Sequence, residues 1–175
     1  MKPPSNLKLL KTKLEIEGAI SRLADEINSD YEDSTPLLIG VLKGTFIFMA
    51  DLVRKLNINL EIDFIELRSY ENGTKSSKDV QTIKGLNTNV KDRDIIIVED
   101  IVDTGLTMDS LLTKLKENSP SSIKVCALTS KPSRRVVKVP IDYLGFKVEN
   151  VFLVGYGLDF NQKYRNLPEL YYLEV

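Results

Sequence analysis

The stretch "DIIIVEDIVDTGLTM", residues 94–108, decides how the chain is read. Ile95, Ile96, Ile97 and Val98 run without a polar break, as in a strand buried on both faces of a parallel sheet. The run then ends on Glu99 and Asp100, and a third acid, Asp103, follows at once. A chain selected only to fold rarely crowds carboxylates onto the tip of a core strand, because an unpaired charge is costly to bury. In open parallel sheets, ligands sit beyond the carboxyl ends of the strands, so these acids stand where a site is expected.

"DTGLT" leads from the strand into a helix near Leu106. Its glycine permits a tight turn, and successive amides and two threonine hydroxyls converge on a helix N-terminus, a favourable place for phosphate. Acids beside a phosphate repel it unless they face donors or a cation. A ligand with a phosphate at one end and sugar hydroxyls beside it resolves the conflict. The phosphate would rest on the 103–107 loop, and Glu99 and Asp100 would accept hydrogen bonds from the hydroxyls. A phosphorylated ribose has that shape. The common phosphate motifs are absent: there is no Gly-x4-Gly-Lys-Ser/Thr, and "GYGLDF" lacks the third glycine of a dinucleotide fingerprint.

Outward from this segment, strand and helix alternate. Thr12 and Glu15 have the spacing of a capping box. Ile16, Ala19, Ile20, Leu23, Ala24 and Ile27 follow at helical intervals, which predicts an amphipathic helix over 13–30. "LLIGVL" (37–42) reads as a buried strand, "FIFMADLVRKL" (46–56) as a helix and "LEIDFIEL" (60–67) as a half-exposed strand. "RSYENGTKSSKDVQ" reads as a mobile loop or loosely paired hairpin. Met108, Leu111, Leu112 and Leu115 make one helix face after the acidic tip. "IKVCALT" (123–129) is another buried strand, and the remainder holds two short strand signals and an irregular tail. The expected class is α/β, a mostly parallel sheet flanked by helices.

Composition narrows the chemistry. At 175 residues, with 42% hydrophobic and 28% charged, the chain suits one globular domain. No apolar run reaches the roughly 20 residues of a membrane span. The start, "MKPPSNLKLL", lacks the apolar stretch and cleavage site of a secretory signal. With its single cysteine, Cys126, the chain is expected in the cytoplasm. Lys and Arg total 24 against 25 acids, a net charge of −1, so no broad basic field recruits nucleic acid. The chain has no histidine, which excludes Ser-His-Asp and Cys-His nucleophile pairs and most catalytic zinc sites.

Taken together, these segments resemble the type I phosphoribosyltransferases, with residues 94–108 as their phosphoribosyl-diphosphate loop. "GVLKGTFIFMADL" (40–52) resembles the pyrophosphate loop of the hypoxanthine-guanine branch, and "RSY" (68–70) the start of its active-site lid. "TSKP" with "DYLGFKVENVFLVGYGLDFNQKYRNLP" resembles its purine-binding hood. The resemblance covers nearly the whole chain in one order. It implies a type I phosphoribosyltransferase fold: a single domain over 1–175, a core about 13–130, a hood from the N-terminal segment and about 131–175, and a lid about 69–82. The implied reaction joins hypoxanthine or guanine to 5-phosphoribosyl 1-diphosphate. It yields IMP or GMP and pyrophosphate, with Mg2+ as cofactor.

The resemblance also implies the roles. Glu99 and Asp100 would bind the ribose hydroxyls, and Asp103 would be the general base at purine N7. Thr104, Gly105, Leu106 and Thr107 would hold the 5-phosphate. Lys43 and Gly44 would contact pyrophosphate, with Arg165 as a charged partner and a peptide at Leu42-Lys43 that is often cis in relatives. Arg68, Ser69 and Tyr70 would belong to the lid. Lys131 would donate to the purine 6-oxo group, Phe152 would stack on the ring, and Leu153 would meet its edge. Asp159, with Glu99 and Asp100, would hold magnesium.

Taken singly, Lys131 reads as a solvated loop lysine, Phe152 as a core aromatic and Arg165 as a surface charge; common register with one family gives them roles. Leu106 departs from the many relatives that carry a basic residue there. "KPSRRVVK" (131–138) reads mainly as hood surface. A phosphoribosyltransferase preferring xanthine or another base is the nearest rival, and a non-catalytic regulator that keeps the fold, senses the diphosphate and binds nucleic acid is the rival from another class. The apolar "FIFMADL" is expected to lie at a homodimer or homotetramer surface; no membrane or nucleic-acid partner is expected.

Overall fold

The computed structural model describes residues 6–69 and 80–173, with the backbone alone for 68–69 and 80–84. The chain starts with β1 (Leu7–Lys11) and α1 (Lys13–Asp30). Both halves of the capping box form: Thr12 Oγ1 accepts from the Glu15 amide at 3.2 Å, and Glu15 Oε2 accepts from the Thr12 amide at 2.9 Å. All six periodic apolar residues of α1 are buried.

Next come β2 (Leu37–Leu42), α2 (Phe46–Val53), β3 (Glu61–Ser69), β4 (Val80–Lys84) and β5 (Asp94–Val102). They are followed by α3 (Leu106–Lys116), β6 (Ser122–Ser130), a 3-10 turn Pro132–Arg134, β7 (Tyr143–Lys147), β8 (Phe152–Val154) and β9 (Leu170–Leu173). Six strands form one sheet in the order β4-β3-β2-β5-β6-β7. All neighbours are parallel except β4, which pairs antiparallel with β3 on the outer edge. A second sheet, β1-β9-β8, is antiparallel.

Strand side chains alternate between two cores, as a period of two requires. Leu38, Ile96, Val98, Cys126 and Leu128 face α1 and α2. Leu37, Ile39, Ile95, Ile97, Val125 and Ala127 face Met108, Leu111, Leu112 and Leu115 of α3. The central strands are therefore apolar on both faces, and the unbroken run at 95–98 has its physical cause.

Three elements differ from the sequence reading. Helix α2 stops at Val53 rather than continuing to residue 56. The Lys55 and Leu56 amides turn back to Leu52 O and Val53 O, the tighter i→i−3 bonds of a closing turn. The tail holds three strands, and β7 joins the main sheet through its pairing with β6. The N-terminal residues form a strand because β9 offers them an edge. Residues 70–79 of the expected lid, Tyr70 included, lie outside the described residues. Among those described, no helix is long and apolar enough to cross a membrane.

The capping box generates a stability prediction. Thr12→Ala should lower unfolding free energy by about 1 kcal/mol in urea titrations at neutral pH, since the Glu15 amide loses its acceptor and Glu15 loses the hydroxyl that helps hold it over the cap. An unchanged midpoint would show that packing alone sets where α1 begins.

Candidate active site

From β2 the chain crosses through α2 to β3, and from β5 it crosses through α3 to β6, on opposite faces and in opposite directions along the sheet. A crevice opens where such connections part, beyond the carboxyl ends of the two strands. The Lys43-Gly44 turn follows one strand and the 103–107 loop the other. The peptide Leu42-Lys43 is cis. An open cleft of about 100 Å³ is lined by Glu99, Asp103, Thr104, Gly105 and Thr107 among others.

At the floor sit the two adjacent acids. Asp100 is 6% exposed and Glu99 half-buried. Burial, then the neighbouring Asp100 charge, holds the Glu99 carboxyl well above the usual carboxylate range. Asp100 is also raised, again mainly by burial. Its Oδ1 accepts from the Ile101 amide at 2.8 Å, and Thr129 Oγ1 donates to its carbonyl at 2.8 Å. Gly44 lies so close that a Cβ there would fall inside the Asp100 carboxylate. The acid pair and the residue 43–44 turn are thus one packed unit.

The 103–107 loop turns at Gly105, whose φ of 87° is a left-handed conformation that a side chain would strain. The first amides of α3 have no acceptor within the helix, so they and the threonine hydroxyls can receive an anion. Asp103 opens this loop, three residues after Asp100, and two cations face it. Lys131 Nζ lies 3.6 Å from its Oδ2, and Arg134 Nε donates to its Oδ1 at 3.3 Å. Lys131 is 7% exposed, so it is a buried ammonium aimed at an acid rather than a solvated loop lysine.

Asp159 and Arg165 face each other. Asp159 Oδ1 is 2.6 Å from Arg165 Nη2, and its Oδ2 accepts from the Gln162 amide at 2.8 Å. Arg165 Nη1 donates to Gly157 O at 2.8 Å, and Gly157 packs on the Gly44 carbonyl. Phe152 is 48% exposed, and its ring meets Phe160 edge-on at 5.5 Å, which leaves a face open. Leu153 is buried behind it. Lys43 and Leu106 are exposed. Arg68 and Ser69 are described in backbone only, at the end of β3.

Arg134, Arg135 and Phe160 were not singled out from sequence. The basic run at 131–138 reads as surface, but the 3-10 turn Pro132–Arg134 swings Arg134 onto Asp103 and Arg135 behind Gly105. The signal available was the doubled arginine two residues after Lys131-Pro132.

Sheet order, acid-tipped strand and switch-point cleft together define the type I phosphoribosyltransferase fold. Residues 7–161 match the phosphoribosyl transferase domain family. The chain is 46% identical over 161 residues to the hypoxanthine-guanine phosphoribosyltransferase of Bacillus subtilis, covering 92% of this chain and 89% of that one. It is 44% identical to the Streptococcus pyogenes serotype M3 protein of the same name, with the same coverage. A crystal structure of a Bacillus anthracis hypoxanthine-guanine phosphoribosyltransferase superposes with a TM-score of 0.91 at 37% identity, over 95% of this chain and 98% of that one. The hypoxanthine phosphoribosyl transferase of Trypanosoma cruzi gives 0.93 at 34% identity, over 99% and 95%. The chain belongs to the phosphoribosyltransferase family, in its hypoxanthine-guanine branch.

The acid pair predicts a stability signature. A carboxyl raised on folding keeps its proton to higher pH in the folded than in the unfolded chain. Folding is therefore penalised as pH rises from the ordinary value of 4.5 through the raised folded one. Glu99→Gln removes the penalty. The variant should melt above wild type at neutral pH, with the gap closing as pH falls toward 4.5. Equal melting at neutral pH would mean Glu99 carries no buried-charge penalty.

Proposed function

We propose that this protein condenses hypoxanthine or guanine with 5-phosphoribosyl 1-diphosphate, giving IMP or GMP and pyrophosphate. The observation that carries the base class is the 3.6 Å approach of Lys131 Nζ to Asp103 Oδ2. O6 and N7 of a 6-oxopurine are neighbours on one edge, close enough for a single bidentate side chain. With N7 protonated, that edge offers an acceptor beside a donor, the complement of a lysine beside a carboxylate. Adenine presents an amino group where O6 would be, and an ammonium cannot accept from it. Phe152 would stack on the ring through its open face, and backbone at Leu153 would meet the far edge.

The sugar substrate fits the remaining groups. Its phosphomonoester would rest on Thr104, Gly105, Leu106 and Thr107, and its hydroxyls would donate to Glu99 and Asp100. Its diphosphate would meet Lys43, Gly44 and Arg165. As the purine nitrogen bonds to the sugar carbon, the bond from that carbon to diphosphate breaks, and Asp103 takes the N7 proton. Arg165 stabilises the departing anion once Asp159 releases it.

No cluster of three or more metal-type side chains occurs among the described residues. Mg2+ is usually held by one or two carboxylates together with substrate phosphates, so it needs no three-acid cage. The Glu99-Asp100 pair on one side and Asp159 on the other would each offer carboxylate oxygens to it, and the bound ion would supply charge to the leaving diphosphate.

In this reading the small sheet and the segment after β6 form the purine hood, and about 69–82 the lid that excludes water. The half-exposed Phe46 on α2 supports assembly as a homodimer or homotetramer. The lone, buried Cys126 supports a cytoplasmic setting.

The test is turnover with hypoxanthine, guanine, xanthine and adenine in competition, in wild type and Asp103→Asn. The two named bases should be used and adenine refused. The variant should lose about a hundred- to ten-thousand-fold in turnover, the range for a lost general base, while diphosphate affinity holds. Near-wild-type turnover with chemistry rate-limiting would make Asp103 a structural acid, and xanthine outrunning both named bases would reassign the substrate.

A further inference from the structure

The loop proposed to take the phosphomonoester, 103–107, has no cationic side chain of its own. A phosphomonoester carries close to two negative charges at neutral pH. A helix start supplies only about half a positive charge. The charge balance of the site therefore needs another cation.

One lies directly behind the loop. Arg135 Nη2 donates to Ser130 Oγ at 2.7 Å and to Val102 O at 3.3 Å, so the guanidinium is anchored under the strand end that feeds the loop. A Cβ on Gly105 would stand 3.1 Å from Arg135 Cδ and 3.4 Å from Nη1, which puts the side chain in contact range of the turn. Thr104 O accepts from both the Val136 and Val137 amides, at 2.9 and 3.1 Å, fastening the segment after Arg135 to the same loop. Arg134 faces the other way, toward Asp103.

The decisive atom is Nη1. It is buried and donates to no acceptor among the described residues. Both anchoring bonds are made by Nη2, so a simple brace would leave Nη1 without a purpose. Burial lowers the Arg135 pKa, with Asp103 opposing the shift. A buried donor left idle is destabilising by itself. The guanidinium charge, delocalised over its three nitrogens, is thereby held beside the loop with Nη1 committed to no structural bond.

We propose that Arg135 is a positioning residue for the phosphomonoester end of the sugar substrate, a fixed positive charge acting through the 103–107 loop. The inference rests on the phosphate assignment made under Proposed function. It gives the two consecutive arginines separate tasks, one at the acid and one at the phosphate loop.

The test compares two anions. Ribose 5-phosphate and, separately, inorganic pyrophosphate with magnesium are titrated calorimetrically into wild type, Arg135→Gln and Arg135→Lys at several salt concentrations. The Gln variant should bind ribose 5-phosphate about tenfold more weakly, the size of one partly buried charge interaction, with a shallower salt dependence. Its pyrophosphate affinity should stay within about twofold, and KM for the diphosphate substrate should rise while kcat holds. Arg135→Lys keeps the charge but cannot reproduce both anchoring bonds, and should restore most of the ribose 5-phosphate affinity.

Equal loss for both anions, or no loss for ribose 5-phosphate, overturns the inference. If the Gln variant does not fold, a tenfold loss in the Lys variant overturns it too, because geometry rather than charge would then be at work. If wild type turns over purines yet binds no ribose 5-phosphate, the phosphate assignment falls and this inference with it.

Discussion

Glu99 and Asp100 follow four residues of β5 that have no exposed surface; burial raises both carboxyls, and the Asp100 charge raises Glu99 further. Two like charges in a poorly solvated place are unfavourable unless something supplies donors or positive charge. The surroundings show how the fold accommodates them. Gly44 has no side chain because Asp100 fills the space, Thr129 ties down the Asp100 backbone, and Gly157 closes on Gly44 from the tail. A substitution in any of these would be felt at the acids first. Burial thus opposes ionisation of the pair in the free protein, a penalty that a polyhydroxylated, metal-bearing ligand would relieve.

Charge elsewhere in the cleft follows the same logic. Asp103 is matched by Lys131 and Arg134, and Asp159 by Arg165, so each of these acids has a cation in place before any ligand arrives. Glu99 and Asp100 make no ion pair among the described residues, although the nearby Arg165 charge lowers Asp100. Ligands therefore meet two kinds of subsite. At Asp103 and Asp159 they compete with existing ion pairs, which favours molecules carrying both a donor and an acceptor. At Glu99 and Asp100 they meet none, which favours hydroxyls and hard cations.

The frame of this arrangement was legible in the sequence because it is local. The capping box at Thr12 and Glu15, the helical spacing through Ile27 and the unbroken run at 95–98 each report on neighbours within one element. The acidic tip was legible because it violates the pattern of a strand that serves only to fold. What escaped depends on contacts between distant segments. Arg134 meets Asp103 from 31 residues away, and only the course of the turn after β6 decides that. Lys131 resembles any loop lysine until β5 and β6 pair side by side and bury it. Asp63 reads as the outer face of an alternating strand, yet it is 8% exposed and accepts from the Asn87 and Thr88 amides at 2.7 and 2.9 Å. The roles of Asp159 and Arg165 came from family resemblance, and their pairing with each other was visible only in three dimensions.

Proton exchange on ligand binding tests the central claim most directly. If free Glu99 holds a proton because it is buried beside Asp100, then binding the magnesium complex of 5-phosphoribosyl 1-diphosphate must drive that proton off. Calorimetric titration in buffers of different ionisation enthalpy, between about pH 5 and 8, counts the protons released. Subtracting the same titration with Glu99→Gln removes the ligand's own ionisation. The account predicts a net release of up to one proton in wild type relative to the variant. Identical proton counts across that range would contradict it, and would mean the acid pair is already ionised and satisfied before the substrate arrives.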